Sequence, residues 1–145
     1  MRTPSGDQAT QVIRSIVLIV LLAVAAGQAE VSRADTRPPA SLTADLAEWN
    51  IVPSTGVVRA GLVRITARNL GLAEHQLVLV RTSRFEQVLP LDGDHATGRP
   101  VTSPLVVRPG RSRSILVRLQ PGTYLLIDNL PWHYWRGTSA AFVVR

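Results

Sequence analysis

The feature that most constrains this chain is its punctuation. From residue 42 onward, short apolar runs are broken every few positions by Gly, Pro or Asn, and no long stretch carries a helical period. Within the runs the period is two. Over residues 62–69, Val63, Ile65 and Ala67 alternate with Arg64, Thr66 and Arg68, which predicts a strand with the first set inward and the second toward water. Over residues 112–119, Ile115, Val117 and Leu119 alternate with Ser114, Leu116 and Arg118. Residues 74–82 (E-H-Q-L-V-L-V-R-T) are nearly continuous apolar after His75, the pattern of a central strand. Residues 123–127 and 140–144 supply the last two strands. Asn69-Leu70-Gly71 is a turn signal, and Pro109-Gly110 and Pro121-Gly122 have the Pro-then-Gly order of a type II turn. Residues 42–51 open the domain, with Leu46 and Trp49 as packing residues. Residues 83–104, with Pro90, Gly93, Gly98, Pro100 and Pro104, read as a loop-rich excursion with one edge strand at 85–89. Many short strands and no helix predict an all-β, two-sheet Greek-key β-sandwich; an immunoglobulin-like sandwich gives much the same string.

The first 34 residues follow a different grammar. A polar start carrying Arg2 and Arg14 leads into the uncharged run I-V-L-I-V-L-L-A-V-A-A at 16–26, and small residues follow at Ala29 and Ala34. Such a segment reads as a secretory signal, because the run is shorter than the ~20 residues a spanning helix needs. An uncleaved N-terminal anchor is the alternative. Residues 35–41 (D-T-R-P-P-A-S) read as a Pro-rich tether, and residues 42–145 as the domain. The expectation is an exported domain, secreted, periplasmic or membrane-tethered on the outer face, whose N-terminal segment engages the membrane during export.

Composition removes several function classes. With no cysteine there are no disulfides, zinc-thiolate sites, iron–sulfur clusters or thiol nucleophiles. The formal net charge is +6, and every basic residue is Arg. These Arg residues are spread singly along strands, as on solvated sheet faces, so no nucleic-acid partner is expected. No nucleophile-elbow pattern occurs, and the chain is not expected to be an enzyme. His95 lies in D-G-D-H-A-T-G with Asp92 and Asp94, but D-G-D in a Gly-rich loop reads as an Asx turn and lacks the oxygen spacing of a calcium loop.

One carboxylate and one imidazole, Asp128 and His133, stand in the loop D-N-L-P-W-H-Y-W-R-G-T between the last two strands. The loop resembles the copper loop of cupredoxins, Cys-Asn-x-Pro-x-His followed by Gly-Met. Asn129, Pro131, His133 and Gly137 match; Asp128 stands at the Cys position and Thr138 at the Met position. The upstream stretch N-L-G-L-A-E-H-Q-L-V-L-V is similar to the family's mid-chain ligand strand and puts His75 at the first ligand position. With the W-N-I-V-P-S, P-G-R-S-R-S-I-L-V-R-L and Q-P-G-T-Y-L-L segments, the resemblance covers residues 42–144. It implies that His75, Asp128 and His133 converge as a metal set, with Thr138 as a weak fourth member.

Without a thiolate, a blue electron-transfer site is not expected. Imidazole and carboxylate favour Cu(II) or Zn(II) over Cu(I). The expected function is an exported binding domain that holds Cu(II) in a pale, non-blue His2Asp site for metal carriage or buffering. The alternative is a metal-free degenerate cupredoxin with no cofactor, in which Asp128 accepts loop N–H groups and the sandwich serves as a protein-interaction scaffold. Trp132 and Trp135 flank His133. Trp135 is expected to pack over the loop, and Trp132 is the candidate contact for a protein partner.

Overall fold

The computed structural model describes residues 37–83 and 88–145. The expected signal or anchor segment, and most of the expected edge strand at 85–89, lie outside the described residues. Among the described residues there are eleven strands and no helix: β1 (Ala40–Ala47), β2 (Asn50–Pro53), β3 (Val57–Val58), β4 (Gly61–Asn69), β5 (His75–Thr82), β6 (Leu91–Asp92), β7 (His95–Ala96), β8 (Leu105–Val107), β9 (Ser112–Leu119), β10 (Gly122–Asp128) and β11 (Ser139–Val144). One sheet has the order β2-β1-β4-β9 and the other β3-β11-β10-β5-β8, with β6-β7 a separate hairpin. The all-β two-sheet sandwich read from the alternation is therefore the fold. Strand pairing begins at Ala40 and Ser41, which lie opposite Val63 and Arg64, so β1 starts inside the expected tether.

The core lies between the sheets, where Leu42, Leu46, Val63 and Ile65 from one meet Leu79, Leu126 and Phe142 from the other. Val63, Ile65 and Ala67 are fully buried, as their alternation predicts. The second sheet is buried on both faces. Val78, Val80, Leu125 and Ile127 form a second apolar cluster with Leu89 and Ala96, under the excursion between β5 and β8. This explains why L-V-L-V and Y-L-L-I run without polar interruption: a strand covered on both sides has no face to give to water.

The turns that position the site are held by side chains. Asn69 is 1% exposed. Its Oδ1 accepts from Gly71 N at 2.9 Å, and its Nδ2 donates to Ala73 O at 2.7 Å and Val107 O at 2.9 Å. It thereby ties the turn that delivers His75 to the strand opposite. Gly110 has φ +66° and Arg111 N donates to Arg108 O, consistent with the type II turn expected at Pro109-Gly110. Pro121-Gly122 differs: Gly122 has φ +151° and is already the first residue of β10, so strand pairing overrides the local turn preference.

Two aromatic expectations are refined by the structure. Trp49, read as a packing residue, is 43% exposed in the tight turn between β1 and β2, and its ring packs against His133 instead of entering the core. Trp135, read as packing over the loop, is 65% exposed, its ring lying edge-on to Trp132 with centroids 6.2 Å apart.

Candidate metal centre

His75 is the first residue of β5, and Asp128 is the last residue of β10, the strand beside it. The register puts Asp128 opposite Leu77, so both side chains emerge at the same end of the second sheet. The loop from β10 to β11 folds back as consecutive turns. Asp128 N donates to Thr138 O (3.0 Å), His133 N to Leu130 O (3.0 Å) and Thr138 N to His133 O (3.2 Å). This closure brings His133 over the strand ends. Asn129 fixes the loop to the β6-β7 hairpin, its Oδ1 accepting from Ala96 N (2.8 Å) and its Nδ2 donating to Ala96 O (3.3 Å).

The three side chains meet at one oxygen. His75 Nδ1 and His133 Nδ1 each lie 2.6 Å from Asp128 Oδ2. As a carboxylate, Asp128 only accepts, so both rings donate from Nδ1. The other oxygen, Oδ1, accepts from Gln76 N (2.8 Å) and Leu130 N (3.3 Å). His75 and Asp128 are fully buried, and the His133 side chain is 15% exposed. The rings of His75 and His133 stand edge to face, with centroids 5.7 Å apart. One candidate ligand atom from each residue lies within 4.8 Å of the others, the only such grouping found among the described residues. The expected trio is thus brought together. His95 is not part of it: it is exposed and pairs with its neighbour Asp94, beside the hairpin turn at Gly93-Asp94.

Two buried polar atoms here have no partner, His75 Nε2 and Thr138 Oγ1. A metal at His75 Nδ1 requires the proton on Nε2, and a buried N–H without an acceptor costs about 1–3 kcal/mol. The donor set fits a borderline divalent ion such as Cu(II) or Zn(II), with the Nε2 proton as its cost, and does not fit a copper–thiolate centre.

Sequence reasoning missed the cover over this site. Trp49 adopts φ +63°, a left-handed conformation rare for a bulky residue, and its ring packs edge-on against His133 at 5.1 Å. The Arg136 guanidinium lies 4.4 Å from the Trp49 ring centroid on the outside. Its neighbour Glu48 accepts from Leu72 N (2.5 Å) and Ala73 N (2.8 Å). The hydrogen bond from Ala73 N, then those from its own N–H and from Leu72 N, hold the Glu48 carboxyl below its ordinary value.

Comparison with solved structures identifies the architecture. The fold is similar to that of reduced auracyanin from the photosynthetic bacterium Roseiflexus castenholzii, at 20% identity over 72% of this chain and 96% of that one, with a TM-score of 0.52. It is also similar to rusticyanin from Thiobacillus ferrooxidans, at 13% identity over 72% and 76% of the two chains, with a TM-score of 0.53. The chain has a cupredoxin fold. A third likeness, to Cu-containing nitrite reductase from Thermus scotoductus SA-01, covers 75% of this chain but 32% of that one, at 15% identity and a TM-score of 0.51. No family model and no curated protein matches the sequence. The chain contains no cysteine.

Proposed function

We propose that this is an exported cupredoxin-fold domain that binds a divalent metal, Cu(II) in preference to Zn(II), through His75, Asp128 and His133, and serves in metal carriage or buffering. The observation that carries the reading is the convergence of two imidazole Nδ1 atoms on one buried carboxylate oxygen, at 2.6 Å each. Thr138 is at most a weak fourth ligand. Imidazole and carboxylate donors hold Cu(II), and without a soft sulfur ligand Cu(I) is poorly bound, so the site retains or hands over metal and does not cycle electrons.

The test is Cu(II) titration of the full chain, followed by paramagnetic resonance and thermal unfolding. A saturable signal with nitrogen coupling is expected, and it is lost in the His75→Ala/His133→Ala variant. At a free metal concentration of 100 Kd, binding to the native state raises stability by about 2.7 kcal/mol. A metal response undiminished in the double variant ends this reading.

A second reading has its own support. The same 2.6 Å contacts already satisfy both Nδ1 atoms, and Trp132 and Trp135 expose 52% and 65% of their surface on the same loop. In that reading the triad is a polar clasp that fixes the loop, and Trp132 contacts a protein partner. It requires that neither Cu(II) nor Zn(II) shifts the unfolding temperature.

A further inference from the structure

The His–Asp–His cluster has one side toward water. His75 and Asp128 are fully buried, and the His133 side chain alone is partly exposed, at 15%. His133 Nδ1 points inward to Asp128 Oδ2, so the route from solvent to the three donor atoms passes its ring. Trp49 lies against that ring, edge-on, with centroids 5.1 Å apart and planes at 67°. Exposed Arg136 covers the Trp49 ring in turn, its guanidinium carbon 4.4 Å from the centroid.

The chain holds Trp49 there against its backbone preference. Ala47 pairs with Asn50, so Glu48 and Trp49 alone make the turn between β1 and β2. Trp49 has φ +63°, and a second turn residue of positive φ is ordinarily Gly or Asn. Strain of this kind persists where the surroundings fix it, and it gathers at ligand clamps and switches. Two contacts fix it here. Glu48 accepts from Leu72 N and Ala73 N, in the turn that leads into His75. Arg136 comes from the loop that carries His133. The cover is thus fastened to both chain segments that supply the imidazoles.

We infer that Trp49 is a gate: it sets how fast a divalent ion enters and leaves the cluster, while His75, Asp128 and His133 set the affinity. This rests on the metal-binding reading above. Trp49 touches a ligand ring and offers no ligand atom to the ion. A contact kept in both the empty and the loaded state shifts no equilibrium, but it must break for the His133 ring to swing out, so it slows both directions. For a carrier, such a gate retains metal against chance competitors without tighter binding.

The experiment mixes the full chain with Cu(II) and follows entry by stopped-flow fluorescence, with Trp132 and Trp135 as reporters on the His133 loop. Exit is followed into excess chelator and extrapolated to zero chelator. In Trp49→Gly both rates are expected to rise about tenfold, the loss of one aromatic contact and one cation–π contact, with Kd unchanged within about threefold. Gly suits the positive φ, so this variant keeps the turn. Trp49→Phe should keep exchange slow, and Arg136→Gln should accelerate it only about threefold. In the metal-free chain, carbethoxylation of His133, read by peptide mass spectrometry, should quicken in Trp49→Gly while that of exposed His95 does not change. Unchanged carbethoxylation of His133, unchanged copper exchange, or a change confined to one of the two rates would each overturn the gate and leave the metal site standing. A parent chain that binds no Cu(II) would end both.

Discussion

Thr138 carries a hydroxyl that its surroundings do not use. The residue is fully buried and its Oγ1 has no partner. Replacing such a group with a methyl of the same shape removes an uncompensated desolvation cost. Thr138→Val is therefore expected to stabilise the domain by about 1 kcal/mol, read as a higher urea midpoint at unchanged slope. Cu(II) affinity should be unaffected if the hydroxyl is no ligand. A lower midpoint would mean that the hydroxyl has a partner, and weaker copper binding would make it a ligand. At this scale the sequence spoke unevenly. His75, Asp128 and His133 could be found because loop spacing and the strand motif each mark a position. Trp49 could not. Its ring meets His133 across 84 positions of chain and depends on a positive φ that no local pattern around Glu48 and Asn50 announces.

The turn between β1 and β2 reaches the turn that feeds β5. Glu48, in the first, accepts from Leu72 N and Ala73 N, in the second. Its carboxyl is held below the ordinary value of 4.5, chiefly by the Ala73 N–H. A depressed native value means that the ionised form is favoured in the folded state. The contribution is thus fully present above the unfolded value and fades as pH falls through the native one. Glu48→Gln should flatten the loss of stability on acidification through this range, which unfolding midpoints at successive pH values will show. Parallel curves for parent and variant would mean that the hydrogen bonds do not depend on ionisation. The strands themselves were legible where burial is simple. β4 alternates because one face meets the core, and β5 and β10 run apolar because both faces are covered. What local chemistry could not give was competition with pairing. Gly122 was pulled from its expected turn into β10, and Ala40 and Ser41 pair along β4 despite the prolines before them.

Across the whole molecule, the second sheet gathers a carboxylate and two imidazoles at the end where the buried strand β5 begins. That end invites reconstruction, because its members come from β5, β10 and the following loop. Asp128 Oδ2 occupies the point nearest both Nδ1 atoms. A cysteine side chain ends about one atom earlier, which vacates that point for an ion, with sulfur behind it at about 2.3 Å and imidazole nitrogens at about 2.0–2.1 Å. Methionine at 138 would then supply the weak axial sulfur of a His2Cys site. Asp128→Cys with Thr138→Met is therefore expected to turn a pale Cu(II) protein into one with an intense visible copper–thiolate band. Stability should fall as the Asp128 hydrogen bonds to both imidazoles and to Gln76 N and Leu130 N are lost, and recover on copper binding. Thiol titration and resonance spectra would establish that copper sits beside the new sulfur. A double variant that binds copper through both histidines yet stays colourless would show that the strand end does not present position 128 to the metal, and the alignment of the loop with the copper loop would fail with it.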